Sequence, residues 1–324
     1  MTDLIDAVAA HGGIRPAARA LGIPESTLRS RLKASELEIQ HPESGELPID
    51  ELIERRKQEF ARKHRHEQSR KLIPVKVKNL GPIGLLHFGD PHLDDPGCDI
   101  GLLESHMKLC QTVDGLYGVN VGDTLNNWVG RLRGIYGGQN VTEDEGWRLA
   151  EWFIQGVPWA YIVGGNHDAW SGAGDPLKWI TAQAGALYQD SDVRIELQFA
   201  NQRTVRINAR HDFAGNSIYN PAHGATKALH FGIRDHIAIC GHKHTSGYGI
   251  LKDPDSGITM HAIQVASYKT YDRYAREKGF RDQHLSPCAV TVIDPDLPPT
   301  HPDLIKVFWD AEEGADYLKF KRTK

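Results

Sequence analysis

Five short polar motifs, each at the end of an apolar run, constrain this chain more than any other feature. In order they are Gly89-Asp90-Pro91-His92, Gly122-Asp123, Gly165-Asn166-His167-Asp168, a lone His211, and Gly241-His242-Lys243-His244. The runs before them, at 84–88, 118–121, 159–163, 205–209 and 237–240, have the length and apolar character of strands buried in a sheet. Helix-length stretches at 102–113 and 143–155 separate the first three. That alternation predicts an α/β domain, and each strand delivers a polar group at its C-terminal end, where ligand sites form in open α/β sheets. The fold must gather one set of side chains from five loops.

Those side chains are carboxylates, imidazoles and one amide, enough hard-to-borderline donors to hold two divalent cations side by side. Such a pair catalyses in-line displacement at phosphorus. An Asp-x-His spacing on a turn lets two side chains converge on one ion, and a single carboxylate between two ions holds them ~3.5–4 Å apart. The glycines before Asp90, Asp123, Asn166 and His242 are expected to let the backbone turn sharply. Cys98, Cys110, Cys240 and Cys288 lie far apart with no Cys-x-x-Cys, which excludes a zinc ribbon and a disulfide framework. We read them as reduced thiols and expect a cytoplasmic chain. The first residues lack the basic-then-apolar pattern of a signal peptide, and no apolar stretch approaches the ~20 residues needed to span a bilayer, so no membrane partner is expected.

The ordered motifs GD-x-H, GD, GNHD, H and GH-x-H, spanning roughly residues 83–250, resemble those of the calcineurin-like metallophosphoesterase family. The resemblance implies a sandwich of two mixed β-sheets flanked by helices. It places Asp90, His92 and His244 on a first metal, Asp123 between both, and Asn166, His211 and His242 on the second. It implies two divalent ions, Mn²⁺ first, with Fe, Zn, Ni or Mg as alternatives. His167 matches the family's non-ligand histidine, which stabilises charge on the reacting phosphorus or protonates the leaving oxygen, with Asp168 orienting its ring; the alternative for His167 is a hydrogen-bonding group behind the ligands. His211 stands in Arg210-His211-Asp212-Phe213 where many relatives have His-Gly, and its place after a strand assigns it. His223, His230, His236 and His261 are expected behind the ligands or on the surface. An Asn shortly after the GD motif touches phosphate in the family, so Asn126 or Asn127 fits that place. Arg131 is a candidate phosphate clamp and Arg133 lies just beyond; the alternative is loop capping.

Upstream, residues 1–35 read as a three-helix unit. Leu4 and Val8 give a first helix its stripe, Gly12-Gly13 ends it, Pro16 marks the second start, and Gly22 turns into a third helix with Leu28 and Leu32 inward. "AARALGIPESTLRSRLK" resembles a Fis-type helix-turn-helix, which implies that Ser26, Thr27, Arg29, Ser30 and Lys33 face a DNA major groove. Protein contact is the competing use. Residues 36–71 read as a charged linker or helix, with eight Lys/Arg against Glu59 and Glu67 between Arg55 and Lys71, in a chain whose net charge is −4. That segment suits phosphate contact or a solvated spacer. Residues 72–324 form the catalytic domain.

Six of the seven tryptophans fall between Trp128 and Trp179. Trp147, Trp152 and Trp159 are expected in the core; Trp128 and Trp170 are expected to pack or to stack a base. Tyr268, Lys269, Tyr271, Arg273 and Tyr274 suit a nucleic-acid groove or an amphipathic surface helix. Taken together, these readings predict a two-metal phosphodiesterase or nuclease acting on DNA. The alternative is a phosphatase or phosphodiesterase for nucleotides and other small phosphoesters, with the N-terminal unit serving regulation or localisation. A DNA-binding protein with an inert phosphoesterase scaffold is disfavoured by intact donors at every motif. The combination resembles what bacteriophages and prophages encode, which implies a bacterial or phage-infected host; a homodimer is left open.

Overall fold

The computed structural model describes residues 2–36, 45–128, 134, 138–171, 175–270 and 284–324. The chain divides into two compact units, Met1–His64 and Arg65–Lys324. In the first, helices α1 (Thr2–Ala10), α2 (Ile14–Ala20) and α3 (Glu25–Ser35) pack around buried Ala17, Ala18 and Leu28, with Leu4, Val8, Ile14, Ile23 and Leu32 against them. Gly12 and Gly22 stop α1 and α2 at φ near +69° and +68°, and the following amides, Gly13 and Ile23, bond back five residues to Val8 and Ala18. Pro16 does not open α2. The helix starts at Ile14 after Gly13, and Pro16 sits in the first turn, where its missing N–H removes no helical bond. Helix α4 (Ile49–Arg70) follows, with no buried residue along its length.

The second unit holds two six-stranded sheets. Strands are β1 (Ile73–Lys76), β2 (Ile83–Phe88), β3 (Leu116–Asn120), β4 (Trp159–Val163), β5 (Tyr188–Gln189), β6 (Asp192–Gln198), β7 (Thr204–Arg210), β8 (Ile237–Cys240), β9 (Gly247–Lys252), β10 (Thr259–Gln264), β11 (Cys288–Ile293) and β12 (Ile305–Phe308). One sheet runs β1-β6-β7-β8-β10-β9 and the other β12-β11-β2-β3-β4-β5. Both are mixed: β2, β3, β4 and β5 pair in parallel, whereas β11 pairs antiparallel with β2 and β12. Side-chain alternation explains the layers. Ile83 and Leu85 of β2 join Val119, Tyr161 and Val163 in facing Ile195, Ile207, Ile237 and Ile239 of the other sheet. Leu86 and Phe88, on the opposite face of β2, pack with helices α5 (Ile100–Thr112), α6 (Glu143–Gln155), α7 (Pro176–Gln183) and α9 (Ala311–Arg322) through Leu103, Met107, Phe153, Leu177 and Leu318. Helix α8 (His223–Phe231) covers the outside of the first sheet through Ala225 and Leu229. The result is an α/β fold of two mixed sheets flanked by helices.

Trp159 and Trp147 pack beside this core, but Trp152 is on the surface and Trp179 is 76% exposed. Arg70, in the basic segment, is committed inside its own unit: its guanidinium donates to the Asp192 backbone and pairs with Asp190 and Asp192. Among the described residues no helix is long and apolar enough to cross a membrane.

Candidate metal centre

Strands β2, β3 and β4 belong to one sheet and β7 and β8 to the other, yet all five end at the same edge of the sandwich. The loops after them are tied together by their own polar atoms. Asp90 Oδ2 accepts the His242 amide at 2.6 Å, and the Asp123 carbonyl accepts the His92 amide at 3.0 Å. Asp123 Oδ1 accepts the His167 amide at 3.0 Å. Three motif glycines serve close approach more than turning. A Cβ at Gly89 would run into the Ala266 carbonyl, at Gly165 into Asp123, and at Gly241 into the Asp90 carboxylate. Gly122 alone of the four has a left-handed φ, +115°, and a Cβ there would also meet His211 Nδ1 at 2.5 Å. His92, Asp123, Asn127, His242 and His244 adopt positive φ although none is glycine. Such conformations cost ~1–3 kcal/mol each and cluster at functional sites.

Two groups of donor atoms result: Asp90, His92 and His244, and Asp123, His211 and His242, with the atoms of each group within 4.8 Å of one another. In the first, His92 Nε2 faces His244 Nε2 at 3.1 Å and His244 Nε2 lies 3.4 Å from Asp90 Oδ2. In the second, His211 Nε2 lies 3.1 Å from Asp123 Oδ2, 2.9 Å from Asn166 Oδ1 and 3.0 Å from His242 Nδ1. Asp123 Oδ2 is also 4.0 Å from His92 Nε2, so it stands between the groups. His211 Nδ1 donates to the Val121 carbonyl at 2.9 Å, which leaves Nε2 to face the carboxylate, the tautomer a metal-binding imidazole needs. All seven residues named from the sequence are brought together.

This donor set fits divalent cations. Asp90, His92 and Asp123 are buried, Asp90 Oδ1 has no hydrogen-bond partner, and ring nitrogens point at one another. Convergent lone pairs and carboxylates in a dry pocket repel unless a cation lies among them. The metal-free protein answers with protons. Burial opposes a charge on His211, yet the Asp123 carboxylate beside it lifts its pKa to about 10. Burial also raises Asp123, but the facing histidines, His211 foremost, outweigh it and hold the carboxyl well below the usual range. Burial pushes Asp90 up, and burial together with neighbouring imidazoles pushes His92 and His242 down.

His167 lies beside these groups, Nε2 3.8 Å from Asp123 Oδ2 and Nδ1 2.5 Å from the Asn126 carbonyl. The sequence-based role for Asp168 changes here. Its carboxylate accepts the Gly165 amide at 2.8 Å and the Thr124 amide at 3.0 Å, tying the Asn166 loop to the Asp123 loop, while the Asn126 carbonyl engages His167 Nδ1. Asp168 is buried, and burial with the nearby Asp123 charge raises its pKa to about 7. Asn126 and Asn127 are buried too: Asn126 Nδ2 donates to Asp95 and Asn127 Nδ2 to the His167 carbonyl at 2.9 Å. Both side-chain NH₂ groups are bonded to neighbouring loops.

Arg131, Arg133, Tyr271, Arg273 and Tyr274 lie outside the described residues. Tyr268 is buried and bonded to His106, and Lys269 is 8% exposed, so these two line neither an open groove nor a surface helix. Trp128 is buried edge-on to His167, with ring centroids 5.1 Å apart. His236 and His261 are buried side by side near the N-terminal ends of β8 and β10, away from the ligand-bearing ends, bonded to the Arg206 amide and to Tyr248, instead of standing behind the ligands or at the surface. His230 is exposed. The sequence reading missed Asp94 and Asp95; their only local signal was two more carboxylates just past Asp90-Pro91-His92-Leu93.

No protein-family model matches this sequence, and no curated protein matches it. Among solved structures the chain is similar to the calcineurin-like phosphoesterase YfkN from Bacillus subtilis, at 11% identity and a TM-score of 0.37, with 75% of this chain and 99% of that one covered. It is also similar to the NAD nucleotidase NadN of Haemophilus influenzae, at 10% identity and a TM-score of 0.37, with 70% of this chain covered; it spans about half of that protein, 49%.

Proposed function

We propose that this chain is a phosphoester hydrolase working with two divalent metal ions, Mn²⁺ by preference, and that its substrate is DNA. The observation that carries the hydrolase reading is the pair of donor groups at one edge of the sandwich with Asp123 Oδ2 between them. Asp90, His92 and His244 would hold one ion, Asp123, His211, His242 and Asn166 the other. When bound, such a pair polarises a phosphoryl group and acidifies water. The carboxylate and amide oxygens suit Mn²⁺, and the four imidazoles also admit Fe, Zn or Ni.

The chain's own residues then supply the proton chemistry. With Nδ1–H engaged by the Asn126 carbonyl, His167 presents Nε2 toward the pocket; protonated there, it donates to the departing oxygen. Burial of Asp90, His92 and Asp123 excludes water from one side, while exposed His242 marks the open side where substrate enters. The DNA reading is supported by the N-terminal unit. Ser26, Arg29, Ser30 and Lys33 are exposed on α3 and Thr27 is half-buried beside them. Arg29 is paired with Glu25 at 2.8 Å, a contact DNA phosphate would compete for. Four free cysteines, far apart in sequence, support a reducing, cytoplasmic setting; the bacterial or phage-infected host rests on the resemblance alone.

The test is to incubate the protein with Mn²⁺ and single-stranded DNA, duplex DNA, cyclic dinucleotides or a chromogenic phosphodiester. Cleavage should need metal and vanish in Asp123→Asn, since one carboxylate serves both ions. Turnover surviving both EDTA and that substitution refutes the two-metal reading; cleavage of the small diesters alone refutes DNA as substrate.

A further inference from the structure

We infer that Asp94, Asp95 and Lys269 are positioning residues for His167, acting through Asn126. The inference rests on the reading of His167 as the group that serves the leaving oxygen. Asn126 is fully buried, and three of its polar groups are spoken for. Its amide donates to Asp94 Oδ1 at 2.6 Å, its side-chain Nδ2 donates to Asp95 Oδ2 at 2.8 Å, and its carbonyl faces His167 Nδ1 at 2.5 Å. Two adjacent carboxylates therefore grip one residue by main chain and side chain, and that grip fixes the direction of the carbonyl that engages the imidazole.

Each carboxylate is itself fixed. Asp94, 4% exposed, accepts at Oδ2 from Gln139 Nε2 at 3.0 Å, and the same nitrogen donates to the Asp94 carbonyl. Asp95 Oδ1 accepts the Gly97 amide at 2.8 Å, and Oδ2 lies 3.0 Å from Lys269 Nζ. Lys269 arrives from far along the chain because its backbone bridges antiparallel to Cys98, with the Thr270 amide bonded to the Gly97 carbonyl and the Asp99 amide to the Tyr268 carbonyl. Its ammonium also lies 5.6 Å from the centroid of Trp128, whose ring packs edge-on against His167. One buried lysine thus supports two neighbours of the His167 ring, the Asn126 carbonyl through Asp95 and the indole directly.

The competing account is that Asp94 and Asp95 only cap a turn. The two differ in consequence. Turn capping affects stability alone, whereas a shift of the carbonyl that engages Nδ1 displaces the ring, and misplacement by ~1 Å costs on the order of 10²-fold in rate.

The experiment uses the full chain carrying Asp95→Ala, Asp95→Asn or Lys269→Met, each also combined with His167→Ala. The first readout needs neither metal nor turnover. The His167 Nδ1 proton is followed by NMR in the metal-free protein, assigned by its loss in His167→Ala. It should be downfield and protected from exchange in the parent and in Asp95→Asn, which keeps an oxygen for Asn126. It should shift upfield and exchange rapidly in Asp95→Ala and Lys269→Met. The second readout is kinetic. Asp95→Ala should lower kcat roughly 10–100-fold for a diester with an alkoxide leaving group, at unchanged KM and metal content. The loss should be several times smaller with p-nitrophenolate, which needs no proton, and absent in the His167→Ala background. An unchanged Nδ1 proton in Asp95→Ala, or a kinetic loss that adds in full to that of His167→Ala, overturns the inference. If Asp95→Ala does not fold, Lys269→Met carries the same readouts. Failure of the parent protein to hydrolyse any diester would refute the hydrolase reading instead, and the NMR result would still decide the positioning.

Discussion

Asp168→Asn separates two roles that the same residue could fill. The carboxylate takes the Gly165 amide on one oxygen and the Thr124 amide on the other, in a pocket where the residue is 1% exposed. Asparagine keeps one acceptor and turns an NH₂ toward the second amide, so one buried N–H loses its partner and meets another donor. Above pH 7, where the Asp168 carboxyl is ionised, a buried hydrogen bond to a charged acceptor is worth ~1.5–3 kcal/mol, and the orphaned donor is included in that range, so we expect a loss of about 2–3 kcal/mol. Removing one carboxylate beside Asp123 returns a small part of this. For a unit of this size, with ~2–4 °C per kcal/mol, Tm should fall by roughly 5–10 °C. Asp168→Ala, which orphans both amides and leaves a void, should lose about twice as much and approach the whole stability of a typical domain. Thermal unfolding monitored by circular dichroism measures both. Turnover and bound metal should fall together, because the two tied loops carry Asp123 and Asn166. A variant with unchanged Tm, full metal content and turnover reduced ~10²-fold or more would refute this account and return Asp168 to the service of the His167 ring.

Three further outcomes are expected. His167→Ala should lower turnover by ~10²–10⁴ while two equivalents of metal remain bound, as metal analysis of the purified variant will show; loss of one equivalent would make His167 a ligand. Stability should fall on acidification below about pH 6.5. Burial depresses the pKa of His87 to about 3 and of His106, His236 and His261 to about 4 from an ordinary 6.5, so the unfolded chain takes up protons first as pH drops. Each contributes stability that is present above pH 6.5 and lost toward pH 4, about 2 kcal/mol apiece between pH 7 and 5; urea midpoints that stay level across that window contradict it. Deleting residues 1–35 should leave hydrolysis of a small chromogenic diester intact, since every candidate ligand lies in the second unit, and should weaken duplex DNA binding with a shallower salt dependence. Identical titration curves at two salt concentrations would remove DNA from the proposal.

The two mixed sheets flanked by helices expected from the motif order are the architecture observed. What the sequence determined by itself was local. Strand β4 (Trp159–Val163), strand β8 (Ile237–Cys240) and helix α6 (Glu143–Gln155) run where periodicity places them, and a Thr142–Glu145 capping box seen in the structure opens α6, because alternation, helical spacing and caps act within a few residues. The polar groups that follow the strands are likewise a property of short segments. Tertiary structure alone decided which sheet each strand joins, and therefore that the C-terminal ends of β2 and β8, in facing sheets, come together with Asp90 accepting the His242 amide. It alone turned Asp168 away from the histidine next to it and onto the Thr124 amide, buried Tyr268 and Lys269, and left Trp152 at the surface. The reason is the range of the interactions. Asp95 and Lys269 are 174 positions apart and meet at 3.0 Å only after strand order, backbone bridging at Cys98 and desolvation have acted together. No pattern in either segment encodes that contact, because its energy exists only once the loops between them have closed.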